Sequence, residues 1–102
     1  MSNNYIDPSG FYTITAYYAL GIIKITVYYG NGTMKLTITG RIHLLSTYAT
    51  VGGEILATVL TDNATIIVAI VSGAGSLYDK YGKYKTASVW ASCNYKWGYY
   101  LV

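Results

Sequence analysis

The chain has one cysteine, one proline, one phenylalanine and no glutamine among its 102 residues. A lone thiol, Cys93, cannot close an intramolecular disulfide, so no covalent staple holds the fold and the residue is expected as a small apolar part of the core. Charge is scarce as well. Charged residues make up 11% of the chain, against about 25% in an ordinary soluble domain. With 53% apolar residues, disorder is excluded, and few charges are left to keep copies apart. The carboxylates are only Asp7, Glu54, Asp62 and Asp79, beside one histidine, His43. Asp7 and Asp62 sit at turn positions, and His43 has no second histidine or cysteine near it in sequence. Neither a carboxylate pair nor a three-ligand metal site is therefore expected. Catalytic activity, a bound metal and a cofactor are all excluded from the reading. Long hydrophobic runs are missing too: the longest uncharged stretches, Pro8 to Ile23 and Asn63 to Tyr78, have sixteen residues each. Gly, Thr or Ser interrupts both, and a spanning helix needs about 20 apolar residues. No transmembrane segment is expected. The opening Met-Ser-Asn-Asn-Tyr has no basic stretch before an apolar one, so a secretory leader is expected to be absent or already removed.

What the chain does have is strand-forming residues. Val, Ile, Thr, Tyr, Phe and Trp number 46, while Ala, Leu, Met, Lys, Arg, Glu and Gln number 27. That ratio argues for β-structure in a single domain, residues 1–102. Residues 33–44 alternate cleanly, with Met34, Leu36, Ile38, Ile42 and Leu44 on one side and Lys35, Thr37, Thr39, Arg41 and His43 on the other. Ile23, Ile25, Val27 and Tyr29 alternate before them. The intervening Asn31-Gly32 accepts the positive φ angles of a two-residue hairpin turn. Partner numbers then sum to 63, which sets Ile25 opposite Ile38 and Val27 opposite Leu36. By the same reasoning Asp62-Asn63 joins a strand from Glu54 to Thr61 with one from Ala64 to Ser72. Val59 then pairs with Ile66 and Ile55 with Ile70, and Ile66 to Val71 reads as a strand apolar on both faces. Gly52-Gly53 and Gly73-Ala74-Gly75-Ser76 read as separators. Phe11 to Leu20 supplies a first strand and Leu77 to Val102 two or three more. The expected fold is all-β: a small antiparallel β-sandwich or barrel of about seven strands built from hairpins. Asn31-Gly32-Thr33 and Asn63-Ala64-Thr65 match the N-glycosylation triplet, though both asparagines sit where a turn accounts for them.

Thirteen tyrosines are the most unusual feature. A tyrosine joins a large apolar ring to a hydroxyl that can stay wet, which suits surfaces that are soluble before assembly and adhesive after it. The doublets Tyr17-Tyr18, Tyr28-Tyr29 and Tyr99-Tyr100 put one ring on each face of a strand, so one ring of each pair needs a partner outside the core. With Ile67 and Val71 of the two-sided segment, these six form the expected self-association set. The whole net charge of +3 lies beyond residue 78. There Lys80, Tyr81, Lys83, Tyr84 and Lys85 interleave cations with rings, a mixture able to contact a polyanion such as single-stranded nucleic acid.

Two resemblances follow. Tyr28-Tyr29-Gly30-Asn31-Gly32-Thr33 is similar to the opening of pediocin-type bacteriocins, but this chain lacks their nearby cysteines and the segment is read as a hairpin. Across its whole length, the richness in Ile, Tyr and Thr, the absence of Gln and the low charge resemble small virion proteins of viruses infecting thermophilic archaea. The resemblance is compositional, without a motif, and implies a structural role in a virion or on an extracellular surface. The missing Gln suits a hot habitat, whereas the few Lys and Glu do not. The expected function is non-enzymatic self-assembly of a homo-oligomeric structural protein. A lectin-like carbohydrate-binding module and a nucleic-acid-binding barrel are the alternatives.

Overall fold

The computed structural model describes residues 2–6, 12–30, 33–58, 63–93 and 96–102. Six strands, β1 (Ser2–Ile6), β2 (Tyr12–Tyr18), β3 (Ile23–Gly30), β4 (Thr33–Arg41), β5 (Thr86–Ser92) and β6 (Trp97–Leu101), form one antiparallel sheet whose spatial order is the chain order. Among the described residues three helices, α1 (Ile42–Leu45), α2 (Ala49–Leu56) and α3 (Ala64–Tyr81), all lie in the connection between β4 and β5. The fold is mostly β, yet it is neither a sandwich nor a barrel of seven strands. One sheet with alternating faces must hide its apolar side, and here helices cover it in place of a second sheet.

The β3–β4 hairpin has the register that alternation dictates: Ile25 opposite Ile38, Val27 opposite Leu36, Lys24 opposite Thr39. Its turn residues Asn31 and Gly32 lie outside the described residues. On the inner face Ile14, Ile25, Leu36, Ile38 and Val89 join Ile42, Leu45, Leu56, Ile66, Ile70 and Leu77 from the helices in one buried cluster. Each such side chain contributes roughly 1.5–3 kcal/mol by leaving water.

Both strands expected for a second hairpin run into helices where the structure describes them: Glu54 to Leu56 belong to α2 and Ala64 to Ser72 to α3. Ile66, Ala69, Ile70, Gly73, Ala74 and Leu77 are the buried residues of α3. Their spacing of three and four lays a single stripe along a helix. The β-branched Ile66 to Val71 looks like a strand over six residues and shows its helical period only across the full eighteen of α3. The expected pairing of Ile55 with Ile70 is replaced by helix packing, since Ile55 belongs to α2. Val59 and Asp62 lie outside the described residues.

Three of the four glycines expected as separators, Gly52, Gly53 and Gly73, are packing residues, while Gly75 is exposed on α3. A Cβ on Gly73 would stand 2.8 Å from Cε3 of Trp97 and 3.0 Å from Cγ1 of Val89, so α3 approaches the sheet as closely as only glycine permits. Gly52 meets Leu36, and Gly53 meets Ile67, in the same way. The turn role falls instead to Gly82, whose φ of 79° ends α3 while its N–H still bonds the Tyr78 carbonyl at 3.0 Å. Three smaller expectations change as well. The strand expected over residues 33–44 stops at Arg41, and His43 sits on α1. Cys93 is exposed in the β5–β6 turn and takes no part in the core. Strand β1 precedes the expected first strand and pairs with it, Asn4 opposite Ile14.

Candidate functional site

Among the described residues, no helix covers the sheet's second face. Its central positions run from Thr15 through Thr26, Thr37 and Trp90 to Gly98 across five strands. The next row contains Tyr17, Lys24, Thr39, Ser88 and Tyr100. Thr39 and Ser88 hydrogen-bond each other across the strands. The Trp90 indole lies over Gly98, where a Cβ would come within 2.7 Å of Cε2 and 2.9 Å of Nε1. An aromatic ring covering a glycine on the neighbouring strand hides backbone that would otherwise face water. Lys35 holds its ammonium 4.8 Å from the same ring. The open face is therefore hydroxylic and cationic, with its tryptophan already engaged on both flanks.

The tyrosine doublets divide as alternation requires. Tyr18 and Tyr99 pack against the core, while Tyr17 and Tyr100 are exposed. Tyr28 is half-buried on the open face, and Tyr29, on the helix side, is 38% exposed beyond the cover of the helices. Ile67 is half-buried, turned back toward Gly53, whereas Val71 is exposed on α3. The proposed self-association residues therefore do not share one patch.

Strand β6 forms one border of the sheet. Val102 N–H bonds the Thr86 carbonyl at 3.0 Å, and Ser92 N–H bonds the Lys96 carbonyl at 2.9 Å. In an antiparallel ladder alternate residues turn their N–H and C=O outward. For β6 those are Trp97, Tyr99 and Leu101. No charge, proline or bulge interrupts the strand from Trp97 to Leu101. Trp97, Tyr100, Leu101 and Val102 are all exposed along it. Sequence reasoning picked the Tyr99-Tyr100 doublet and missed Trp97 and Leu101, because an edge is a property of sheet order rather than of local pattern.

At the end of the sheet where β4 leaves and β5 enters, cations and rings gather. Lys80 Nζ donates to the Tyr99 hydroxyl at 3.3 Å, and the hydroxyls of Tyr81 and Tyr99 are 3.1 Å apart. Hydrogen bonding to Tyr99, then to Tyr81, raises the pKa of Lys80 above the usual lysine value. The Tyr99 phenol is lowered, by its bond to Tyr81 first and to Lys80 second. Lys80 and Lys85 both stand over the Tyr81 ring, at 5.2 and 5.3 Å, and Lys83 stands 5.0 Å over Tyr84. Two residues not foreseen for this cluster join it. Arg41 Nη1 donates to the Tyr84 carbonyl at 3.4 Å, and His43 Nδ1 donates to the Lys83 carbonyl at 2.7 Å. Contact between Lys80, Tyr81, Lys83, Tyr84 and Lys85 thus follows from the tight α3–β5 turn, while Arg41 and His43 arrive through the pairing of β4 with β5.

The β2–β3 turn lies at the same end. Ile22 N–H bonds the Ala19 carbonyl at 3.2 Å, and Ala19, Leu20 and Gly21 have φ angles of 53°, 59° and 83°. For a leucine the left-handed region costs roughly 1–2 kcal/mol. Leu20 is nonetheless fully exposed there, with Ile22 exposed beside it. Among the described residues no group of three His, Cys, Asp or Glu side chains comes together to hold a metal ion. No described helix is long and apolar enough to cross a membrane. Compared with protein families, with curated proteins and with solved structures, the chain matches none.

Proposed function

We propose that this protein is a self-assembling structural component whose copies join by strand pairing at β6, as part of a virion, a filament or a surface layer. The observation that carries the reading is the outer edge of β6, with which no described strand pairs. Soluble monomers protect such edges with lysine, proline or bulges, and an uninterrupted apolar edge is a template for another strand. Stacking of open faces is disfavoured, because it would bring Lys24, Lys35 and Arg41 of both copies together. Edge pairing separates these charges and satisfies the outward N–H and C=O groups of Trp97, Tyr99 and Leu101. Two β6 strands meeting across a two-fold axis give a closed dimer, while β6 meeting β1 of the next copy gives an open filament. No acid–base or nucleophilic chemistry is assigned to the protein.

Sedimentation velocity over a wide concentration range tests this reading, with Leu101→Lys and Leu101→Pro as edge variants. Each blocks a new strand on the side facing away from β5. The native chain should sediment as a multiple of its 11.2 kDa mass, and both variants should shift to the single-chain species. A native protein that stays at one chain mass throughout overturns the proposal.

A further inference from the structure

The cationic end of the molecule carries a second inference, independent of assembly. The last row of the sheet brings distant segments together. Arg41 pairs with Thr86, whose carbonyl receives Val102 N–H, and the Ile22 carbonyl lies 3.2 Å from where a Cβ on Gly40 would stand. Leu20 therefore projects from the same end as Arg41, Lys83, Tyr84 and Lys85. Across this end four cations, Arg41, Lys80, Lys83 and Lys85, stand with one described side-chain carboxylate, Asp79.

Two features decide what such an end meets. Ammonium groups stand over the faces of Tyr81, Tyr84 and Tyr99. A ring face so engaged is closed to a nucleic-acid base, which leaves less of each ring for stacking. Leu20, in turn, is an aliphatic side chain held out at a strained turn with nothing to cover it. A phosphate polymer has no use for it, whereas the acyl boundary of a lipid layer does. Tyrosine rings and lysine stems are at home in the headgroup layer between the two.

We infer that this end docks on an anionic lipid surface, with Leu20 and Ile22 entering the acyl boundary and Arg41, Lys83 and Lys85 holding lipid phosphates. Binding is peripheral and needs no spanning segment. The exposed turn supplies the apolar contact, and the cations make it depend on lipid charge.

The test is sedimentation of the full chain with vesicles of equal parts phosphatidylserine and phosphatidylcholine, against vesicles of phosphatidylcholine alone. Leu20→Asn keeps a residue that tolerates the left-handed turn and removes the aliphatic group. Burial of one leucine side chain implies a loss of tenfold or more in vesicle affinity for this variant. Lys83→Ala and Lys85→Ala should each weaken binding about fivefold, and added salt should erase that difference. An oligothymidylate arm separates the occupants. The inference is overturned if neither vesicle binds the protein, if the two vesicle types bind it equally, or if Leu20→Asn binds vesicles as the native chain does. It is equally overturned if the oligonucleotide binds more tightly than the charged vesicles and loses nothing with Leu20→Asn.

Discussion

The two faces of the sheet come from the same strands, residue by residue in alternation, yet they obey different rules. The covered face is set by contact: Leu36 lies against Gly52, Val89 and Trp97 lie against Gly73, and an added atom at either glycine would push its neighbours aside. The open face is set by hydroxyls, spacing and charge, with Thr26, Thr37 and Trp90 in register and Lys24 and Lys35 above them. The buried core therefore lies on one side of the sheet, and the hydroxyls and lysines on the other. A chain this poor in charge keeps that division only while its helices stay in place.

The largest expected effect comes from neighbours on opposite faces. Ile38→Ala should cost about 2–5 kcal/mol by leaving a cavity under the helices, while Thr37→Ala next to it should cost less than about 1 kcal/mol. Urea titration of both variants measures the contrast, and equal losses would break it. Next in size, Gly73→Val forces α3 away from Val89 and Trp97 and should cost about 1–3 kcal/mol despite the better helix propensity of valine over glycine. A gain in stability would show that α3 is not seated on the sheet. Smaller and opposite in sign, Leu20→Gly should raise stability by up to about 1 kcal/mol by relieving the left-handed turn, visible as a higher melting temperature.

The smallest effect is a titration. Tyr99 has its pKa lowered, so its anion is favoured by folding, and that gain is present above the unfolded value and lost as pH falls through the folded one. Lys80 is raised, so its contribution is complete below the unfolded value and lost as pH rises through the folded one. The ionised pair therefore exists in the alkaline window between the lowered phenol and the raised ammonium. Ring-carbon NMR should find Tyr99 ionising below the ordinary phenol value, and Lys80→Met should move it upward.

The β3–β4 hairpin was fully legible because period-two alternation and an Asn-Gly turn each dictate the same register. The helical excursion was not. Over Ile66 to Val71 a buried helix and a buried strand have the same composition, and only the recurrence at Gly73, Ala74 and Leu77 separates them. The glycines misled for a related reason. Gly52, Gly53 and Gly73 look like chain breaks in sequence, but their missing side chains serve close approach of helix to sheet or of helix to helix, which depends on partners distant in the chain. The lysine and tyrosine cluster was visible as a run. Arg41 joined it only through cross-strand pairing, and the exposed β6 edge only through sheet order.

The placement of all three helices between adjacent strands has a consequence for synthesis. Strands β1 to β4 leave the ribosome as a complete meander, but β4 must wait for the forty-four residues between Arg41 and Thr86 before its other neighbour exists. Throughout that interval its outer rim is unzipped and its oily side is roofed only as far as the nascent helices reach. Anything that slows translation beyond the helices prolongs the moment at which one half-made chain can capture another.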